Sequence, residues 1–300
     1  MENLCHFVCS RGILKYCTFK SINPKSSCNN DNQYLYDMIT SNKMFDGMSI
    51  YLCSDLLNFF VIKILPLIKN NFILVSGDSD INVPLEILSN KDFLYLINSK
   101  YLIKWLVQNT QLQHYHKIIQ LPIGLDYHTI LNNPKHIWKA DKEGNLPIEQ
   151  EKILLNIIDN SVPFYKRIPK IYVNFSLAND RFGQRKTSIK EIPNNLIVYN
   201  KNTIKRTLNW NLMKNYTFIL SPFGNGMDCH RTWEALCLGC IPILNAPNFK
   251  ELFKNLPVLF VDSWKDINQE LLDKTIEQFK NINFNYSKLT LDYWKNIITN

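Results

Sequence analysis

The chain has 300 residues, 46% hydrophobic and 20% charged, which excludes a disordered or low-complexity protein and leaves apolar surface enough for two packed domains without disulfide staples. The 34 basic and 26 acidic residues leave a formal charge of +8, a surplus that favours anionic partners. The lysines are scattered (Lys63, Lys69, Lys100, Lys104, Lys117, Lys135, Lys139), so a solvated basic surface is expected rather than a nucleic-acid groove.

Eight cysteines, among them Cys28, sit mostly in apolar runs and read as small core residues of a reducing compartment. Cys237-x-x-Cys240 has metal-ligand spacing, but no second Cys or His pair follows, so no metal is expected. The start "MENLCHFVCSRG" lacks a basic region followed by an apolar core. The longest apolar stretch, "LLNFFVIKILPLI", is broken by Asn58, Lys63 and Pro66 and is too short to span a bilayer. A soluble, cytoplasmic protein is the expectation.

In chain order, short apolar runs predict strands at His6–Cys9, Ser49–Cys53, Phe72–Ser76, Phe93–Ile97 and Lys117–Leu121. Helical patterns lie between them at Asp31–Met38, Asp55–Ile68, Pro84–Leu88 and Tyr101–Val107. Residues 122–147 are rich in Pro, Gly, Asn and mixed charge and read as a connection. The alternation then resumes. Helices are expected at Pro147–Asn160, Asn202–Met213, Asp228–Leu238, Asn248–Lys254, Ile267–Lys280 and Thr290–Ile298. Strands are expected at Lys170–Phe175, Leu196–Tyr199, Tyr216–Leu220, Ile241–Leu244 and Val258–Val261. Such alternation predicts an α/β protein with two Rossmann-like parallel-sheet domains, 1–130 and 131–300, facing a cleft. Ligands in open α/β sheets bind beyond the carboxyl ends of the strands.

The segment "LSPFGNGMDCHRTWEALCLGCIPIL" carries the densest signal. A buried strand ends at Ser221-Pro222. Gly224-Asn225-Gly226 then turns the chain, with freedom for positive φ and room for a ligand against the backbone. Asp228 is an N-cap candidate, and Gly239 closes the following helix. His230 and Arg231 lie in the first turn, where cations oppose the helix dipole unless an anion is bound. Glu234 lies one turn on and suits two vicinal hydroxyls of a ribose. The unit could hold a nucleoside diphosphate; a tight turn with a solvated Arg231–Glu234 pair is the alternative.

"SPFGNGMDCHRTWEALCLGCIPI" resembles the nucleotide-sugar-binding segment of exostosin-like glycosyltransferases of the GT-B fold and, more distantly, the donor segment of α1,3-fucosyltransferases. "FILVSGDSDINVP" and "IIQLPIGLDYHT" look like accompanying blocks, so about half the chain is covered. The resemblance implies that Glu234 holds the ribose of the donor. Retaining enzymes of this fold have a second Glu eight residues earlier; that position is Gly226, which argues for inversion.

The resemblance implies an inverting, metal-independent transferase that uses a nucleotide sugar, expected to be UDP-linked, as substrate rather than cofactor, with a glycan or glycoprotein acceptor. For the leaving diphosphate the candidates are Arg231, His230 and the Gly224–Gly226 amides, with Ser221, Arg181 and Arg185 in support. For the base they are Asp78 and Asp80, after an apolar strand, with Asp126 and His128 as rivals. Arg11, Asp126 and His128 are acceptor-side candidates. Asn225 and Asp228 could hold sugar hydroxyls. His6 and the six tryptophans are expected in the core, and the last helix is expected to cross back over the cleft. A non-catalytic nucleotide- or glycan-binding module with a degenerate transferase fold is the alternative.

Overall fold

The computed structural model describes residues 1–21, 32–41, 43–112, 115–140 and 143–299. It is an α/β protein with two parallel sheets. The first holds β1 (Met48–Cys53), β2 (Phe72–Gly77), β3 (Leu102–Val107) and β4 (Ile118–Gln120) in sequential order. The second holds β5 (Ile168–Val173), β6 (Ile197–Tyr199), β7 (Tyr216–Leu220), β8 (Ile241–Leu244) and β9 (Leu259–Phe260), ordered β6-β5-β7-β8-β9. Every residue of β1 and β2 is buried, as expected for parallel strands covered on both faces.

The described α-helices are α1 (Ser10–Lys15), α2 (Gln33–Thr40), α3 (Leu57–Phe59), α4 (Asn90–Ile97), α5 (His128–Asn132), α6 (Pro147–Asp159), α7 (Gln184–Glu191), α8 (Arg206–Met213), α9 (His230–Cys237), α10 (Gln269–Phe279) and α11 (Leu291–Thr299). The single helix expected over Asp55–Ile68 is composite: α3 runs into a π-helical segment, Phe60–Ile64, and then a 3-10 turn, Leu65–Leu67. Pro66 lies in that last turn and has no N–H for an α-helical bond.

Several expectations are corrected. The apolar run Phe93–Ile97 is the end of α4, not a strand. Ser89 caps that helix by accepting from Asp92 N at 3.1 Å, a serine-to-aspartate spacing that marks a helix start. Tyr101–Val107 is then strand β3, because Trp105 pairs with Leu74 and Val107 with Gln120 inside the sheet. Lys104 disguises the run as amphipathic. Pro84–Leu88 is a turn, and His6–Cys9 makes only single antiparallel bridges, Phe7 to Thr290 and Cys9 to Gly124. Asn248–Lys254 is a 3-10 turn over Pro247–Phe249 followed by further turns. Asp31 and Cys28 lie outside the described residues.

One of three buried clusters joins the two sheets, and each sheet has a further cluster of its own. Cys9, Ile13 and Val75 belong to the same buried cluster as Trp233, Phe253 and Trp294. The C-terminal segment packs back on the start of the chain. Val8 N donates to Leu289 O at 2.8 Å, Leu291 N donates to His6 O at 2.8 Å, and the Leu291 side chain lies against Gly12 of α1. From α6, the Glu151 carboxylate accepts from His6 N (2.7 Å), Phe7 N (2.9 Å) and Tyr127 Oη (2.9 Å). His6 itself is exposed, contrary to the core role expected of it. No helix among the described residues is long and apolar enough to cross a membrane.

Candidate functional site

Strand order in the second sheet reverses at β5, which leads to β6 on one side and pairs β7 on the other. The carboxyl ends of β5 and β7 therefore flank a topological switch point, where loops diverge and leave a crevice. A cavity of about 1110 Å³ opens there. Its walls come from Asn174 and Phe175 after β5, Tyr199–Ile204 after β6, and the β7–α9 loop with α9. Across from them stand Asp80 after β2 and Ile123, Asp126, His128 and Thr129 after β4. Both sheets thus present their carboxyl ends to one space.

Helix α9 begins at His230, with Cys229 as its N-cap, and Gly239 follows it at φ +70°. Asp228 is not the cap. Its buried carboxylate accepts from Ile123 N (2.7 Å) and Trp233 Nε1 (2.9 Å), tying the two halves of the chain together. Burial pushes that carboxyl up to about 6, although these donors and His230 favour its charged form.

The Gly224–Gly226 turn also differs from expectation. Neither glycine has positive φ. Both are needed for close approach by the protein itself. A Cβ on Gly224 would collide with an Arg185 guanidinium nitrogen. One on Gly226 would lie 2.9 Å from Asp80 Oδ1 and 3.0 Å from Asn109 Nδ2. Arg185 is buried, donating to Ser176 O (2.8 Å) and Phe223 O (3.2 Å), so it wedges the turn as well as lining the cavity.

Arg231 and Glu234 both line the cavity from one face of α9. Arg231 makes only long contacts to Ser221 Oγ (3.4 Å) and Pro222 O (3.5 Å) and stacks its guanidinium 4.9 Å from the Phe175 ring centre. Among the described residues no carboxylate lies within ion-pair distance of it. Burial lowers its guanidinium to about 10, which keeps it cationic at neutral pH. A half-buried guanidinium without an ion-pair partner, beside helix-start amides, is suited to an anion. Burial raises the Glu234 carboxyl, against the pull of Arg206, Trp210 and His230.

On the opposite wall, Asp126 is buried, and His128 Nδ1 lies 3.4 Å from its Oδ1. Thr129 N donates to Asp126 Oδ1 at 2.9 Å, and Arg206 Nη2 stands 3.7 Å from Oδ2. Burial alone would raise the Asp126 carboxyl, but His128, His230 and Arg206 hold it well below the usual range. Burial takes His128 down to about 4, although Asp126 favours its charged form. A neutral ring protonated at Nδ1 would suit this neighbour, because an ionised carboxylate only accepts, and would leave Nε2 as an acceptor. The His128 and His230 rings lie 6.0 Å apart, and His230 Nδ1 is 2.7 Å from Gly124 O.

The remaining sequence candidates fall elsewhere. Asp78 is absent from the cavity wall. It is buried at φ +55°, next to Arg11, and burial raises its carboxyl to about 6 against the pull of Arg11 and His230. Arg11 accompanies it and does not line the cavity. Arg181 also misses the wall: it pairs with Glu86 at 2.7 Å, spanning the two halves on the surface. Asn225 is exposed on the wall, and Ser221 is buried, sharing a 2.8 Å hydrogen bond with Thr232. The seven described cysteines are free; Cys240 Sγ accepts from Arg167, and no group of three metal-ligating side chains occurs among the described residues.

Two wall residues had no signal in the sequence. Arg206 is buried, donates to Gln150 Oε1 (2.8 Å) and to Asp126 O, and lies over the Trp138 and Trp210 rings. Trp138 is 37% exposed, whereas the other five tryptophans are at most 2% exposed, so the expectation of a wholly buried set fails at this one position.

Comparison with protein-family models finds no match, and comparison with curated proteins finds none.

Proposed function

We propose that this chain is an inverting, nucleotide-sugar-dependent glycosyltransferase of the GT-B class. The reading is carried by one observation: the cavity at the β5/β7 switch point is walled by Arg231 and Glu234 on one side and by the Asp126–His128 pair on the other. In this mechanism the donor diphosphate lies at Arg231 and the start of α9, and Glu234 accepts hydrogen bonds from the ribose hydroxyls. The acceptor hydroxyl gives its proton to His128 Nε2 as its oxygen attacks the anomeric carbon. The bond from that carbon to the diphosphate breaks on the opposite face, and its electron pair leaves with the diphosphate. Arg231 meets the charge that develops there, without a metal. His128 is deprotonated at neutral pH, and Asp126 steadies the imidazolium that forms. The base is thus assigned to His128 rather than to Asp78 or Asp80, because Asp78 does not reach the cavity and Asp80 lies at Gly226.

One feature favours a second reading, a non-catalytic nucleotide- or glycan-binding module. Arg185, Asp80 and Asn109 occupy the space beside the Gly224–Gly226 backbone that a diphosphate would otherwise take. A single screen separates the two. The protein is mixed with UDP-, GDP-, CMP- and dTDP-linked sugars and a panel of oligosaccharides, and both melting temperature and sugar transfer are measured. A transferase shows a thermal shift with one donor class and a product of inverted anomeric configuration. Binding of a nucleotide or a glycan with no turnover supports the module, and no shift with any nucleotide or oligosaccharide defeats both.

A further inference from the structure

Resting on the nucleotide-sugar reading above, we infer that Trp138 is the stacking platform for the nucleobase of the donor and that the Arg206–Trp138 wall forms the base subsite. Arg231, Glu234, Arg206 and Trp138 all line the cavity. Arg231 and Glu234 are three residues apart on α9, a rise of about 4.5 Å, comparable to the step from a diphosphate to its ribose. Arg206 lines the same cavity, and its positive charge favours the ionised form of Glu234. Arg206 in turn lies against Trp138: its N donates to Trp138 O at 2.7 Å, and its guanidinium is 5.2 Å from the indole ring centre. A nucleotide laid from Arg231 through Glu234 and on toward Arg206 brings its base to Trp138.

The other aromatic rings of the wall are less suited. Phe175 is half-buried and has two guanidinium groups over it, Arg231 (4.9 Å) and Arg185 (5.4 Å), whereas the more exposed Trp138 has one, Arg206, and the His136 ring against it at 4.7 Å, edge to face. Tyr199 neighbours Phe175 and has Lys201 over its ring at 5.7 Å. Trp138 is the one tryptophan left substantially exposed, and it is exposed on the cavity wall, where its ring is open to a ligand. A planar heteroaromatic base can stack on the indole beside the Arg206 guanidinium.

The test uses the full chain, the four ribonucleoside 5′-diphosphates, and two ligands without a base, ribose 5-phosphate and inorganic pyrophosphate. Binding is followed by tryptophan emission and by calorimetry. In the wild type, the preferred nucleoside diphosphate quenches the solvent-accessible indole and shields it from acrylamide. Trp138→Ala abolishes the quench and weakens that nucleotide by roughly 10- to 100-fold. Trp138→Phe retains most of the affinity, and the base-free ligands bind all three proteins alike. If the wild type binds a nucleotide and Trp138→Ala binds it equally well, the base subsite is wrong and the transferase reading survives. Equal weakening of base-free ligands also overturns it, since Trp138 would then act only through the fold. If the wild type binds no nucleotide, both fall together.

Discussion

Strands β2 and β7 are both apolar parallel strands that run into a charged loop, and the two loops meet where Asp80 lies against Gly226. Yet only one delivers a pair of charges to the cavity. After β7 the chain turns, starts α9 and carries Arg231 and Glu234 on one helical face, so both side chains reach the same wall. After β2, Asp78 adopts φ +55° at once and is buried beside Arg11, while Asp80 lines the cavity next to Gly226. A helix fixes the direction of its side chains by its period. A single residue beyond a strand takes the direction its backbone turn imposes, and a turn is decided by what surrounds it.

The largest expected effect lies opposite that helix. His128→Ala lowers kcat by roughly 10²- to 10⁴-fold and leaves donor affinity unchanged, measured by steady-state transfer kinetics and calorimetry. The same group gives a pH signature. His128 is held at about 4 against an ordinary 6.5, so between those values the unfolded chain binds a proton that the folded chain refuses. Wild-type stability is therefore intact above pH 6.5 and falls toward pH 4. Relative to His128→Gln the loss is of the order of 3 kcal/mol, read from urea unfolding across that range.

Next in size is the helix itself. Glu234→Ala weakens donor nucleotide binding by roughly 10- to 100-fold, since it removes a charged acceptor of two hydroxyls; titration calorimetry measures this. An unchanged affinity would end the ribose assignment. The smallest effect sharpens the contrast from the β2 side. Asp78→Asn alters kcat and donor affinity by less than about threefold, because the side chain lies off the cavity wall. A loss as large as that of His128→Ala would return the base to the β2 loop.

Much of the fold is legible in the sequence because burial on both sheet faces writes itself as unbroken apolar runs. Phe72–Ser76, Tyr216–Leu220 and Ile241–Leu244 are all readable in this way. The exchange of helix and strand between residues 90 and 107 is not, because "FLYLI" and "LIKWLV" suit either state until the sheet selects one. At the site, Arg231 and Glu234 are legible from their spacing on one short helix. His128 reads only as a rival base, since its pairing with Asp126 and the burial that keeps it neutral come from packing. Arg206 and Trp138 are invisible because their neighbours are remote in the chain: Asp126 is 80 residues from Arg206.

By itself the order of residues determined the parallel α/β class, the helix behind the glycine turn and the side chains that share its face. These follow from local periodicity and need no distant partner. Only the tertiary structure decided that Arg185, Asp80 and Asn109 fill the glycine turn, that Asp228 joins the two halves instead of capping α9, and that His128 rather than Asp78 faces the cavity. Each of those outcomes depends on burial and on electrostatic partners far apart along the chain, and neither is encoded in any short stretch of it.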